Sequence, residues 1–201
     1  MAVVVEHEKR KHEILEKSLD IFAEEGYEDV TFQKIAAKCG ITRTTLYIYF
    51  KNKREIFLWS IKQLTSELEE SLVSIIAEEN LSNAEKLKNV LMTVLDKCVE
   101  NKKLFNVVLM YLLQLKKMDK DPGERVRRRI LRLRHLMSKI LIDGIKSGEF
   151  KLTNVKSANE MFYSLIEAAV FRLAILNQND VKEMESIINL AIEGLKGLQN
   201  A

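Results

Sequence analysis

The sequence predicts an all-α protein of roughly nine helices, and three observations carry that expectation. Apolar residues recur three and four positions apart through most of the chain, with few of the short alternating runs that mark strands. Helix breakers are scarce, one proline and seven glycines in 201 residues. Ser or Asp is followed three residues later by Glu at Ser82/Glu85, Asp121/Glu124 and Asp180/Glu183, a pairing that satisfies the free amides of a helix start.

Taken in order, the first helix is expected from about Glu6 to Glu25, with Ile14, Leu15, Ser18, Leu19 and Phe22 on one face and Gly26 ending it. Thr31 caps a second, which turns Ile35 and Ala36 inward and closes at Gly40. Thr42 caps a third from Arg43 to about Tyr49. Lys51-Asn52-Lys53 leads into a long fourth through Ile56, Phe57, Ser60, Ile61, Leu64 and Leu68. Capping residues then start helices near 83, 122 and 181, with Pro122 suited to a first helical position. Leu104 to Leu115 forms a separate helix, and Gly148 breaks the 122–147 helix before another from about Val155 to Leu176. Three short helices feeding a long one suggest a small module over 1–54 and a helical domain over 55–201. No internal repeat and no Pro-rich or low-complexity linker separates them.

Several function classes drop out. Cys39 and Cys98 lie within apolar helical patterns without pairing logic, which fits a reduced, cytoplasmic protein. The opening MAVVV meets Glu6 and Glu8 too soon for a signal peptide. The longest apolar run, Val107 to Leu113, is far below the roughly 20 residues of a spanning helix, so no membrane partner is expected. His12-Glu13-Ile14-Leu15-Glu16 begins like a zinc-protease motif but has Glu16 where a second histidine is required. With three histidines, His7, His12 and His135, and no phosphate-binding glycine pattern, neither catalytic residues, nor a metal, nor a cofactor is expected.

Charge is distributed unevenly. Residues 1–30 hold four Lys/Arg against nine Asp/Glu, whereas residues 31–54 hold six Lys/Arg and no acid. A basic block with helix, turn and helix signals inside it is suited to phosphate. On a wheel of about 100° per residue with Leu46 inward, Thr44 and Ile48 point outward, flanked by Tyr47 and Thr45, and Phe50 joins the core. Such a face fits a major groove: Arg43 can donate to a guanine edge, Thr44 or Ile48 can meet a thymine methyl, and hydroxyls can reach phosphates. Gln33 reaches in from the preceding helix, and Lys53 adds charge at the start of the fourth. Alternatively Tyr47 and Tyr49 are core aromatics and the lysines a solvated face.

Through Ile14-Leu15, Phe22-Ala23-Glu24-Glu25-Gly26-Tyr27, Val30-Thr31, Ile35-Ala36, Gly40-Ile41, Leu46-Tyr47-Ile48-Tyr49-Phe50 and Lys51-Asn52-Lys53, about the first 58 residues resemble the TetR family of bacterial transcriptional regulators. The resemblance implies a three-helix DNA-binding domain with a helix-turn-helix, fused to a ligand-binding and dimerising domain. It places phosphate contacts on Thr31, Thr45, Tyr49 and Lys53, and base or mixed contacts on Gln33, Arg43, Thr44 and Tyr47. Ile48 departs from the aromatic or polar residue frequent in relatives, and Cys39 replaces a small residue such as Ala.

Beyond residue 80 the resemblance is one of layout. Broad apolar faces on the last two helices, including Met161, Ala168 and Ala169, and Met184, Ile188, Ala191 and Leu195, suit a four-helix homodimer interface, or else fill the monomer core. Phe105, Leu109, Leu112, Leu113, Met137, Phe162 and Leu165 are candidates to line an apolar effector cavity among helices five to eight, though residues at such spacing also serve as plain core. Tyr111, Tyr163 and Arg172 are its candidate polar handles, with a salt bridge to a glutamate explaining Arg172 equally well. The arginine run RVRRRILRLR at 125–134 reads as a solvated or ion-paired face, because Val126, Ile130, Leu133, Met137 and Ile140 form the inward stripe. The expected function is a dimeric, ligand-responsive regulator, a repressor by its resemblance, that binds a pseudo-palindromic double-stranded operator and is released by a small hydrophobic effector. The competing reading is a helical homodimeric scaffold that does not read DNA.

Overall fold

The computed structural model describes residues 2–118, 124–151, 154–174, 176 and 181–196, without the side chains of 2–4, 124–127 and 129. Among the described residues there are nine helices and no strand: α1 (Ala2–Asp29), α2 (Phe32–Lys38), α3 (Arg43–Tyr49), α4 (Lys53–Ala77), α5 (Asn83–Glu100), α6 (Lys102–Lys117), α7 (Glu124–Lys146), α8 (Val155–Ala174) and α9 (Val181–Lys196). The chain forms two compact units. One comprises residues 1–67 and 103–119, the other 68–102 and 120–201, so α4 contributes its first part to one and its last part to the other.

The first unit is built around Ile14, Leu15, Ile21 and Phe22 of α1, Ile35 and Ala36 of α2, Leu46 of α3, Phe50, and Ile56 and Phe57 of α4, all buried. α6 belongs to this core through Leu104 and Tyr111. The Tyr111 ring lies 4.6 Å from Tyr27 and 5.0 Å from Phe57, and its hydroxyl accepts a 3.2 Å bond from Arg54 Nε. Ser18 and Ser60 are buried because each hydroxyl donates to a helix carbonyl, Ile14 O at 2.6 Å and Leu15 O at 3.0 Å. α1 is longer than the sequence predicted. It starts at Ala2, since nothing before Glu6 breaks a helix, and its regular path ends at Gly26 as expected, where a non-helical backbone (φ 84°, ψ 164°) kinks the chain before a last short turn to Asp29.

In the second unit Leu87 and Leu91 of α5, Met137, Ile140 and Leu141 of α7, Phe162 of α8 and Ile188 of α9 are buried. The capping box at Ser82 and Glu85 forms as expected. The boxes at Asp121/Glu124 and Asp180/Glu183 begin on residues outside the described set. A second device holds the start of α5: the Glu149 carboxylate accepts from Asn83 N (2.8 Å), Ala84 N (2.7 Å) and Asn83 Nδ2 (3.0 Å). Burial pushes the Glu149 carboxyl up, but these three bonds outweigh it and hold it below the usual carboxylate range. Lys151 N donates to Leu195 O at 2.9 Å, tying the segment after α7 to the end of α9.

Candidate nucleic-acid interface

The helix-turn-helix is set by local chemistry. The Thr31 hydroxyl accepts from Lys34 N at 3.2 Å and the Thr42 hydroxyl from Thr45 N at 3.0 Å, each cap stabilising its two-turn helix by about 1 kcal/mol. Gly40 takes φ +67° between them, and Ile41 N donates back to Ala36 O at 3.0 Å. With Ile35, Ala36 and Leu46 buried, the opposite side of α3 has to face outward. Arg43, Thr44, Tyr47 and Ile48 are exposed, Ile48 by 69%, as is Gln33 in the first turn of α2. No acidic residue lies on α2 or α3.

The face is partly preorganised. The Arg43 guanidinium donates to the Tyr47 hydroxyl at 3.1 Å, and the Tyr47 ring rests 4.6 Å from Phe32 of α2. The Thr45 and Thr42 hydroxyls are 2.8 Å apart. Tyr49 is half-buried on the flank, and the His7 ring of α1 stacks on it at 4.7 Å and 24°. That stack was not foreseen: His7 is forty-two residues from Tyr49 and the wheel of one helix carries no sign of it.

The six cations are not equivalent. Lys34 pairs with Glu25 (2.6 Å) and Lys38 with Glu24 (3.3 Å), both on α1. Lys53 donates to Tyr27 O (2.8 Å) and Glu28 O (3.0 Å), with its ammonium 4.6 Å from the Tyr27 ring centre. Burial, with Tyr111 and Glu28 adding, pushes the Tyr27 hydroxyl up to about 12, so Tyr27 stays neutral beside it. Arg54 is engaged with Tyr111, and the exposed side chains of Arg43 and Lys51 have no carboxylate partner among the described residues, although Lys51 N donates to the Glu55 carboxylate at 2.6 Å.

The other expected sites fall as follows. Phe105, Leu109 and Leu112 are half-buried and Leu113 is exposed, all on α6 in the first unit. Met137 and Phe162 are fully buried in the core of the second unit, where Leu165 is half-buried. On α8 and α9, Ala169, Met184, Ile188 and Leu195 turn into their own unit, whereas Met161 and Ala168 are exposed and Ala191 is half-exposed. The outer stripes also carry Phe171 (56% exposed) and Leu190 (75%), which sequence reasoning missed because both sides of each helix are apolar. Arg172 has the glutamate partner, Glu183 at 3.4 Å. In the arginine run, Arg132 pairs with Glu69 at 2.5 Å and Arg134 with Glu160 at 2.8 Å, while 125 to 127 and 129 lie outside the described side chains. Among the described residues no group of His, Cys, Asp or Glu is arranged to hold a metal, and no helix is long and apolar enough to cross a membrane.

A capped helix-turn-helix with an outward, carboxylate-free second helix, carried on a larger helical body, defines a DNA-binding regulatory protein. Residues 14–58 match the family model described as bacterial regulatory proteins, tetR family. It is 25% identical over 186 residues to the fatty acid metabolism regulator protein of Bacillus subtilis, covering 91% of this chain and 94% of that one. Among solved structures, the transcriptional regulator FadR from Bacillus subtilis in complex with stearoyl-CoA superposes with a TM-score of 0.67 at 25% identity, covering 92% of this chain and 97% of that one. A TetR transcription regulator from Haloarcula marismortui shares the fold at a TM-score of 0.81 and 19% identity, covering 94% and 98%.

Proposed function

We propose that this chain is a dimeric transcriptional repressor that binds a pseudo-palindromic operator and is released by a long-chain acyl thioester. The observation that carries the DNA half is the exposed face of Arg43, Thr44, Tyr47 and Ile48, flanked by Thr31, Gln33, Thr45, Tyr49 and Lys53. One two-turn helix contacts few base pairs, so useful specificity calls for two, related by a twofold axis and seated in successive major grooves. The exposed apolar stripes of α8 (Met161, Ala168, Phe171) and α9 (Leu190, Ala191) are the surfaces a second copy would cover. The effector class rests on the relative solved with stearoyl-CoA, together with the apolar character of this chain's helical body. Such a protein acts in the cytoplasm, where its operator lies.

Footprinting on genomic DNA gives the operator, and fluorescence anisotropy on that duplex then tests both halves. We expect sequence-selective binding that weakens steeply with salt, and dissociation on adding stearoyl-CoA but not coenzyme A alone. Binding without sequence preference would refute the repressor reading, and an operator complex indifferent to stearoyl-CoA would refute the effector class.

A further inference from the structure

We propose that His7 is a further DNA-backbone anchor, one that protonation switches on; this rests on the DNA-binding reading of α3. Tyr49 follows Ile48 by about 100° around the helix. With Ile48 facing the floor of a major groove, Tyr49 lies against the groove wall, where the phosphates run. The imidazole of His7 is stacked on that ring, 4.7 Å between centres, and its side chain keeps 44% of its surface exposed. It therefore stands beside the phosphate line from a different helix.

The charged groups around it are few, and one of them, the Glu8 carboxylate, competes with a phosphate for the imidazolium. On α1, the Glu8 carboxylate is 3.7 Å from His7 Nδ1, and Lys11 follows one turn later, its ammonium directed to Phe50 and Trp59 at 5.9 and 4.8 Å from their ring centres. On α3 the sole charged side chain, Arg43, is engaged with Tyr47, and Tyr49 supplies a neutral ring. A phosphate beside an imidazole favours its charged form. Linkage makes this reciprocal: if DNA promotes protonation of His7, protonation tightens DNA by the same factor. The other two histidines are placed elsewhere, His12 against Gln63 at 3.2 Å and His135 against Leu131 O at 2.9 Å in the second unit.

The test measures operator affinity by anisotropy at pH 5.5 and pH 7.2 through a KCl titration, for the wild type, H7Q, H7K and H12Q. The wild type should bind about five- to tenfold tighter at the lower pH, with the slope of log affinity against log salt steeper by about 1.8, the signature of two added phosphate contacts, one from each protomer of the proposed dimer. H7Q should lose both changes. H7K should show the steeper slope at both pH values, and H12Q should behave as wild type. Specific binding by the wild type that is flat in pH, or a pH response that survives in H7Q, overturns the role of His7 while leaving the DNA-binding reading intact. Absence of specific binding by the wild type at either pH overturns both.

Discussion

Replacing Ile48 with alanine separates DNA reading from folding. The side chain is 69% exposed, so trimming it removes little from the core, and the stability of the free protein should change by less than about 0.5 kcal/mol. On the operator the same truncation takes three carbons out of the groove. A fully buried methylene is worth about 0.8 kcal/mol, and a groove floor covers one side of the residue, so roughly half of that stabilisation is expected, about 1 kcal/mol or fivefold in affinity for each half-site. Replacing the contacted thymine with uracil removes the partner methyl, and for the wild type it should weaken binding to a similar degree. The two changes should not add, because each deletes half of one contact. The assay is anisotropy on thymine and uracil duplexes, with urea unfolding as control. An Ile48→Ala protein that binds as well as wild type, or that still shows the uracil penalty in full, would refute the thymine-methyl contact.

Three further outcomes follow from the second unit and the proposed dimer. Glu149→Ala should destabilise the protein by about 1–2 kcal/mol at neutral pH by freeing the amides that start α5, measured by urea unfolding. Since the Glu149 carboxyl is held below its unfolded value near about 4.3, that stabilisation is complete above the unfolded value and is lost as pH falls through the folded one, so the difference from wild type should vanish in acid. Gly144→Ala places a methyl on the ring of Phe150, itself 2% exposed, and should cost about 1–3 kcal/mol by overpacking; a neutral result would mean that this ring moves freely. Leu190→Glu sets a charge on each copy of the proposed interface and should yield a folded monomer by light scattering with unchanged helicity, whereas a persisting dimer would place the interface elsewhere.

What was legible in the sequence is what is local. Thr31, Thr42, Gly40 and the Ser82/Glu85 box act within three or four residues, and α3 runs from Arg43 to Tyr49 as the caps predict. Outward placement of Thr44 and Ile48 followed from one buried residue, Leu46, and the helical repeat. What stayed hidden depends on distant partners. α8 and α9 are apolar on both sides, so periodicity alone did not divide Ile188, inside, from Leu190, outside. Nor does spacing link Tyr111 to Arg54, or His7 to Tyr49.

The count of six cations overstates what α2 and α3 hold free for DNA. Two of the lysines answer carboxylates of α1, and Lys53 closes the last carbonyls of the same helix. Exposed pairs of this kind contribute about 0–1 kcal/mol, so the phosphates of a duplex can compete for Lys34 and Lys38 at little cost to the fold. The acidic α1 and the basic segment after it are thus one arrangement: carboxylates of α1 answer Lys34 and Lys38 of α2, and the outward side of α3 carries no anion. Many basic surfaces attract DNA, and charge alone does not discriminate among sequences. The discriminating part of this surface is small. On the proposed reading it is one guanidinium held by Tyr47, two side chains bearing methyl groups, Thr44 and Ile48, and the aromatic flank beside them.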